Sequence, residues 1–76
     1  MSEETRKPIE FFLKADYPIT IYPCPEGGFV AELEDLPGCL TQGETLEEVF
    51  LRINDAKRAW IESAYEDGIP IPLPRR

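Results

Sequence analysis

Residues 32–49, ELEDLPGCLTQGETLEEV, place a strand end, a turn and a helix start directly after one another. Pro37 and Gly38 are typical turn residues, and Asp35 can bond its own backbone, so we predict a β-turn over residues 35–38. The segment contains no evident nucleophile and no histidine. Its order is therefore explained by folding before any chemistry is invoked.

A long amphipathic helix is predicted to follow this turn and a short strand over residues 39–43. Thr45 and Glu48 have the spacing of a capping box, in which a hydroxyl and a carboxylate satisfy free amides of the first helical turn. Gly68 is the predicted stop. The apolar positions recur at helical spacing. They are Leu46, Val49, Phe50, Ile53, Ala56, Trp60, Ile61 and Ala64.

A hairpin is predicted upstream of the turn. Residues 17–24, YPITIYPC, alternate between two faces, and so do residues 28–34, GFVAELE, whose Phe29 has the parity of the core face. Gly27 and Gly28 between them supply the positive φ that a tight hairpin requires. The prolines of the first strand cannot donate to a ladder, so we place them at strand ends or edges. We predict one long helix crossing this hairpin and leaving the second face of the sheet bare.

The two ends of the chain are predicted to differ from this domain, which we assign to residues 9–68. Residues 1–8 are polar and expected to be flexible, and residues 69–76 alternate apolar residues with prolines, which is typical of an extended tail. Residues 9–15 fit either one or two helical turns or a strand, because so short a run does not fix the period. The fold class is thus α+β, with a three-stranded antiparallel sheet and one long helix.

Composition limits the classes of function. Fifteen acidic and eight basic residues give a net charge of -7, which opposes binding to phosphate backbones and favours a basic partner. No segment has the length of a signal peptide's apolar region or of a membrane span, so we expect a cytoplasmic protein. Cys24 and Cys39 are expected to be ordinary small apolar residues, with a bridge between neighbouring strands as the alternative. No metal site or cofactor is predicted.

A family resemblance covers most of this pattern. The strand YPITIYP, the following GGFVAELEDLPGCLTQG, the helix start ETLEEV and the helix end near EDGIPIPLP resemble HicB-type antitoxins over about residues 17–74. The resemblance implies a β-β-β-α core similar to a truncated RNase H-like fold. It also implies a role as inhibitor of a HicA-like toxin, a small basic ribonuclease that cleaves mRNA.

The resemblance has one departure. Longer members carry a C-terminal DNA-binding module. Here the chain after Gly68 consists of residues 69–76, IPIPLPRR, in which no helix is predicted. Direct DNA binding is therefore not expected of this chain alone. Because one helix covers only one sheet face, we also expect a homodimer or a larger even oligomer.

Candidate partner-binding residues follow from charge and strand parity. Acidic side chains complement a basic surface, and apolar or aromatic neighbours can serve as anchors. The candidates are Tyr22, Glu26, Val30, Glu32, Glu34 and Asp35. The alternative interpretation is that they form a solvated strand face and a turn cap. Trp60 is assigned to the core by its place among the helix's apolar positions.

Two other functions remain open from the residues. A stand-alone RNA-binding or protein-binding module of the same fold would need no toxin. A metal-dependent nuclease would need clustered carboxylates on the first strand, and residues 17–24 contain none. Nucleophilic catalysis by either cysteine would lack a histidine base. We therefore predict a protein that is not an enzyme.

Overall fold

The computed structural model describes residues 7–74 and confirms the α+β class. Its elements, in chain order, are α1 (Ile9–Lys14), β1 (Thr20–Pro23), β2 (Phe29–Glu32), β3 (Leu40–Gly43) and α2 (Leu46–Glu66). The strands form an antiparallel sheet in the order β1-β2-β3. The segment left open as helix or strand is the helix α1. Residues 1–6 of the predicted flexible N-terminus and residues 75–76 of the predicted extended tail lie outside the described residues.

The register of the strands divides the sheet into two faces. Ala31 lies opposite Ile21 in β1 and opposite Thr41 in β3. Ala31 and Leu33 are buried in the core with α2, and we call their side of the sheet the inner face. Side chains alternate along a strand, so the other set points to the opposite side, the outer face. The faces predicted for β2 are confirmed.

The loop between β2 and β3 consists of two successive turns. Leu36 N–H donates to the Leu33 carbonyl, and Cys39 N–H donates to the Leu36 carbonyl, both at 3.0 Å. Gly38 has φ +79°, as the third residue of a type II turn requires. The turn predicted over residues 35–38 therefore begins one residue later, because Pro37 and Gly38 occupy its two central positions. Leu36 is fully buried.

Both ends of α2 carry the predicted caps. Thr45 Oγ1 accepts from Glu48 N–H at 3.0 Å, while the Glu48 carboxylate accepts from Glu44 N–H at 2.8 Å. That second bond reaches one residue further back than a reciprocal capping box does. At the other end, Ile69 N–H bonds the Ala64 carbonyl and Gly68, at φ +71°, makes the left-handed stop of a Schellman motif.

The helix covers less of the sheet than its length suggests. Val49, Ile53, Ile61 and Ala64 are buried as predicted. Leu46 and Phe50, however, are 54% and 51% exposed, so their assignment to the buried side of the helix was wrong. The sequence also predicts a helix that crosses the whole hairpin, but α2 packs against β2 and β3 and not against β1. In its first two turns, therefore, Val49 is fully buried while Leu46 and Phe50 remain exposed.

Three long-range hydrogen bonds connect the remaining segments to the core. Trp60 Nε1 donates to the Pro37 carbonyl at 2.8 Å, so this half-buried indole joins α2 to the turn before β3. Lys57 Nζ donates to the Ala15 carbonyl at 3.0 Å, behind α1. Tyr17 Oη donates to the Pro72 carbonyl at 2.6 Å, and Ile71 packs on the core. The extended tail is thus held by its own chain over residues 69–74.

Candidate partner-binding site

The outer face of the sheet is uncovered. Its side chains, by strand register, are Thr20, Tyr22, Val30, Glu32, Leu40 and Gln42. None of them is buried, and Tyr22 and Leu40 are 43% and 55% exposed. Within residues 7–74 both helices contribute to the core on the other side. This face therefore has no role in the described core and is open to a partner.

Four polar side chains on this side lie within hydrogen-bonding range of one another. Tyr22 Oη lies 3.4 Å from Glu32 Oε1 and 3.4 Å from Glu34 Oε2, and Thr20 Oγ1 lies 3.4 Å from that same Glu34 oxygen. We call Thr20, Tyr22, Glu32 and Glu34 the outer-face cluster. A phenol has one proton to donate, so the two carboxylates compete for it and retain lone pairs for other donors.

The electrostatics of the outer-face cluster favour a cationic ligand. The pKa of Tyr22 is raised by desolvation and then by the charges and hydrogen bonds of Glu32 and Glu34, so its phenol is neutral at physiological pH. Among residues 7–74, no lysine or arginine forms an ion pair with either carboxylate; Arg52 pairs with Glu48 instead, at 2.7 Å. Both negative charges are therefore available to an arriving basic side chain.

Apolar surface adjoins the carboxylates. Val30 lies directly opposite Tyr22 on the neighbouring strand, and Leu40 lies directly opposite Glu32. Directly opposed side chains on one face of an antiparallel pair are in contact range. An apolar and aromatic centre with charges beside it is the usual composition of a protein–protein interface.

The structure brings together four of the six predicted binding residues and separates the other two. Tyr22, Val30, Glu32 and Glu34 share one side of the sheet. Glu26 lies in the β1–β2 hairpin and borders a separate, polar cavity of about 440 Å³. The Asp35 charge acts on Tyr17, whose pKa is raised by burial and then by this carboxylate.

Three members of the outer face, Thr20, Leu40 and Gln42, were missing from the predicted set. Thr20 has the same parity as Tyr22 in the alternating first strand, so that signal was present in the sequence. Leu40 and Gln42 are different, because their face depends on the length of the double turn before β3. A one-residue shift in that loop would exchange the faces of the whole strand.

The described residues show no arrangement suited to metal chemistry. No group of three or more His, Cys, Asp or Glu side chains within residues 7–74 could hold a metal ion. Cys24 and Cys39 are both free thiols, and burial raises the pKa of the Cys39 thiol. The same part of the chain contains no helix of the length and apolar character that a membrane span requires.

Comparison with known proteins gives one consistent result. Residues 17–76 match a family described as HicB-like antitoxin of bacterial toxin–antitoxin systems. A UPF0150 protein of Synechocystis is 53% identical over 57 residues, 75% of this chain and 78% of that protein. The antitoxin HicB of Escherichia coli K12 is 43% identical over 58 residues, 76% of this chain but 42% of that protein. A UPF0150 protein of Thermoplasma acidophilum is 39% identical over 56 residues, 74% of this chain and 81% of that protein.

Proposed function

This chain belongs to the HicB-like antitoxin family, and from that premise we propose that it is an antitoxin which binds and neutralises a small basic HicA-like ribonuclease. The two proteins meet in the cytoplasm. Inhibition occurs by masking: the antitoxin covers the surface with which the toxin holds RNA. The chain acts by binding and is not an enzyme.

The observation that carries this proposal is the uncovered outer face, on which the carboxylates of Glu32 and Glu34 form no ion pair within residues 7–74. A ribonuclease holds the phosphates of RNA with basic side chains. Glu32 and Glu34 present carboxylates of the opposite charge on a rigid strand and the loop that follows it. They are therefore suited to occupy the same lysines and arginines that would otherwise contact RNA phosphates. The net charge of -7 raises the rate of encounter with such a partner.

Affinity would come mainly from the apolar part of the surface. Charged rim contacts chiefly affect on-rate and orientation, whereas buried aromatic and aliphatic anchors contribute most of the binding free energy. Tyr22 and Leu40 are exposed enough to enter a partner's pocket. Val30 lies on β2, the central strand, between the strands that carry these two residues. The Tyr22 hydroxyl can also hold one of the two carboxylates at a time before the partner arrives, which reduces the side-chain entropy lost on binding.

We further propose that the antitoxin is a homodimer or a larger even oligomer. A domain this small has room for only a thin core, and association commonly adds stability at this size. The sheet also ends in two edge strands, which are sites of strand pairing unless protected.

The test is rescue of growth and direct binding with the small basic protein encoded beside this chain's gene. Glu32→Gln and Glu34→Gln are combined in one variant, which keeps side-chain size and removes two charges. We expect the dissociation constant to rise by about tenfold or more, equivalent to about 1.4 kcal/mol, and rescue to weaken. Tyr22→Ala should weaken binding further.

The matched control combines Asp55→Asn with Glu62→Gln, which removes two charges from exposed positions of α2. It should bind and rescue as the unmodified chain does. Equal weakening by both double variants would show that only net charge matters, and would overturn the assignment of the outer face. A neighbour that is not toxic, or toxicity that persists beside the folded chain, would overturn the antitoxin function. RNA retained with a steep salt dependence would instead indicate a nucleic-acid-binding module.

A further inference from the structure

The two edges of the sheet differ in what their backbones offer. In β1, Cys24 N–H donates to the Gly28 carbonyl, so by alternation Tyr22 and Thr20 bond β2 while Ile21 and Pro23 direct their backbone groups outward. Pro23 has no N–H to donate. A proline at an outward position is a common protection of an edge strand against pairing.

The β3 edge lacks this protection. Leu33 N–H donates to the Cys39 carbonyl, so by the same alternation Thr41 and Gly43 bond β2, while Leu40 and Gln42 direct their N–H and carbonyl groups outward. Of these outward groups, the Gln42 carbonyl accepts from Arg52 at 3.2 Å. No hydrogen bond among residues 7–74 engages the outward N–H groups of Leu40 and Gln42.

An apolar groove of about 460 Å³ runs beside this open edge. Leu40 and Gly38 line one wall, and the helix α2 lines the other with Ala56, Ala59, Trp60 and Ser63. The three small side chains would allow a second backbone or helix to approach closely. An open strand edge next to an apolar groove is suited to the addition of a further strand.

The chain's own tail does not fill this groove. Ile69 touches it, but Ile71 then packs on the core and the Pro72 carbonyl accepts from Tyr17, which precedes β1. The tail therefore leaves the groove and runs toward the opposite edge. The strand and the groove remain open in the single chain.

Charge decides which partner suits the groove. The residues that line it are uncharged, and one turn before Ala56 on α2 the Arg52 side chain is paired with Glu48. A basic ribonuclease would find no carboxylate among the residues that line the groove. Two copies of a chain with net charge -7 repel each other over most surfaces, and an uncharged strip is where they can meet with the least repulsion.

We propose that a second copy of this chain pairs its β3 antiparallel with β3 across a two-fold axis at Thr41. Leu40 of one copy then lies opposite Gln42 of the other, and each pair exchanges N–H to carbonyl bonds. Arg52 leaves the Gln42 carbonyl and keeps its partner Glu48. The two sheets become one, and the α2 helices meet along Ala56, Ala59 and Ser63.

This interface specifies the self-association included in the proposed function and is separable from toxin binding. It joins two outer faces into one continuous surface with a Leu40 from each copy near the axis. Each outer-face cluster belongs to β1, β2 and the loop after β2, so none of its side chains lies on the paired strand β3 and the cluster stays exposed. A dimer can therefore form with or without a toxin.

The test measures the mass of the purified full chain by light scattering and sedimentation at micromolar concentrations. Gln42→Pro removes one outward N–H and leaves the β2–β3 ladder intact. We expect the unmodified chain to be dimeric and Gln42→Pro to raise the dimer dissociation constant by about tenfold or more. Ala59→Glu, an exposed helix position with little risk to folding, should do the same by placing like charges across the axis.

Ile21→Pro is the matched control, because it removes the corresponding outward N–H from β1. It should stay dimeric, and circular dichroism should show the same helix content in all variants. A monomeric unmodified chain, or dimers that survive both Gln42→Pro and Ala59→Glu, would overturn the proposal. If a monomeric Ala59→Glu variant still rescues growth, dimerisation through β3 is confirmed as separable from toxin neutralisation. If it is monomeric and does not rescue growth, the proposed independence of the two is wrong.

Discussion

The two faces of β2 separate stability from recognition along a single strand. Ala31 and Leu33 are at most 1% exposed beneath α2, whereas Val30 and Glu32, between and beside them, remain partly exposed on the outer face. Since alternate residues point to opposite sides, neighbours in sequence belong to different environments. A chain of this size can therefore maintain its fold with one face of the sheet and keep the other available for a partner.

Truncation on the inner face should have the largest effect on stability. Leu33→Ala removes buried methyl groups and leaves a cavity, which should lower the free energy of unfolding by about 2 to 5 kcal/mol. Val30→Ala, three positions earlier on the outer face, should cost about 1 kcal/mol or less. Urea unfolding followed by circular dichroism measures both. Similar losses at the two positions would contradict the division of the strand into two faces.

Glycines in the two turns that connect the strands come next in expected effect on stability. Gly28 has φ +85°, and a Cβ there would lie 2.8 Å from the Gly43 carbonyl oxygen. Gly38 has φ +79° but open space around that position. Alanine at either site should cost about 1 to 2 kcal/mol for the left-handed backbone. Gly28→Ala should cost more than Gly38→Ala, because strand backbones must also separate. Equal losses would show that the contact with Gly43 is unimportant.

A smaller effect should distinguish the two tyrosines. Tyr17→Phe loses the hydrogen bond to the Pro72 carbonyl, which is worth about 0.5 to 1.5 kcal/mol. Tyr22→Phe loses only exposed contacts to carboxylates and should change the free energy of unfolding little. Thermal unfolding at neutral pH compares the two variants. A larger loss for Tyr22→Phe would indicate that the outer-face cluster supports the fold.

The same tyrosine predicts a dependence on alkaline pH. Burial, and then Asp35, raises the pKa of Tyr17 above its ordinary value of 10.0. The folded chain therefore holds this proton more tightly than the unfolded chain. The stabilisation is fully present below about pH 10 and is lost as pH rises toward and through the folded pKa. Tyr17→Phe should flatten this decline, and tyrosinate absorbance should follow it. An unchanged slope would contradict the raised pKa.

The smallest change in stability should come from the outer-face carboxylates. Glu32→Gln with Glu34→Gln should alter the free energy of unfolding by no more than about 0.5 kcal/mol, because both side chains lack an ion pair within residues 7–74. Chemical denaturation of the double variant measures this directly. A loss comparable to that of Leu33→Ala would mean that the outer face also holds the fold together.

Much of the fold follows from local signals in the sequence. The alternation in residues 28–34 predicts both faces of β2, and the Thr45–Glu48 pair predicts the start of α2, because each signal depends on residues near in sequence. Leu46 and Phe50 fit the helical period equally well yet are exposed. Periodicity gives the direction of a side chain on a helix, but not whether another element lies opposite it. That depends on the width of a sheet that α2 covers only in part.

The candidate site is predicted from the sequence to a similar degree. Parity places Tyr22, Val30 and Glu32 on one face, and the hairpin register brings them together. Asp35 has the same charge as Glu32, but it follows β2 in the double turn, and its charge acts on Tyr17. Charge and strand parity do not predict the course of a turn. The assignment to an antitoxin family rests on the family match, since nothing in the residues alone distinguishes a toxin from another basic partner.

The path of the tail has a practical consequence for handling this protein. From the Schellman stop at Gly68 the chain passes the groove at Ile69 and is fastened at Pro72 beside Tyr17. A fluorophore or surface tether attached at residue 72 would therefore lie beside Tyr17, which precedes β1. Immobilisation through that end would present both the strand-pairing edge and the carboxylate-bearing face to solution, so one sensor surface could report on both kinds of association.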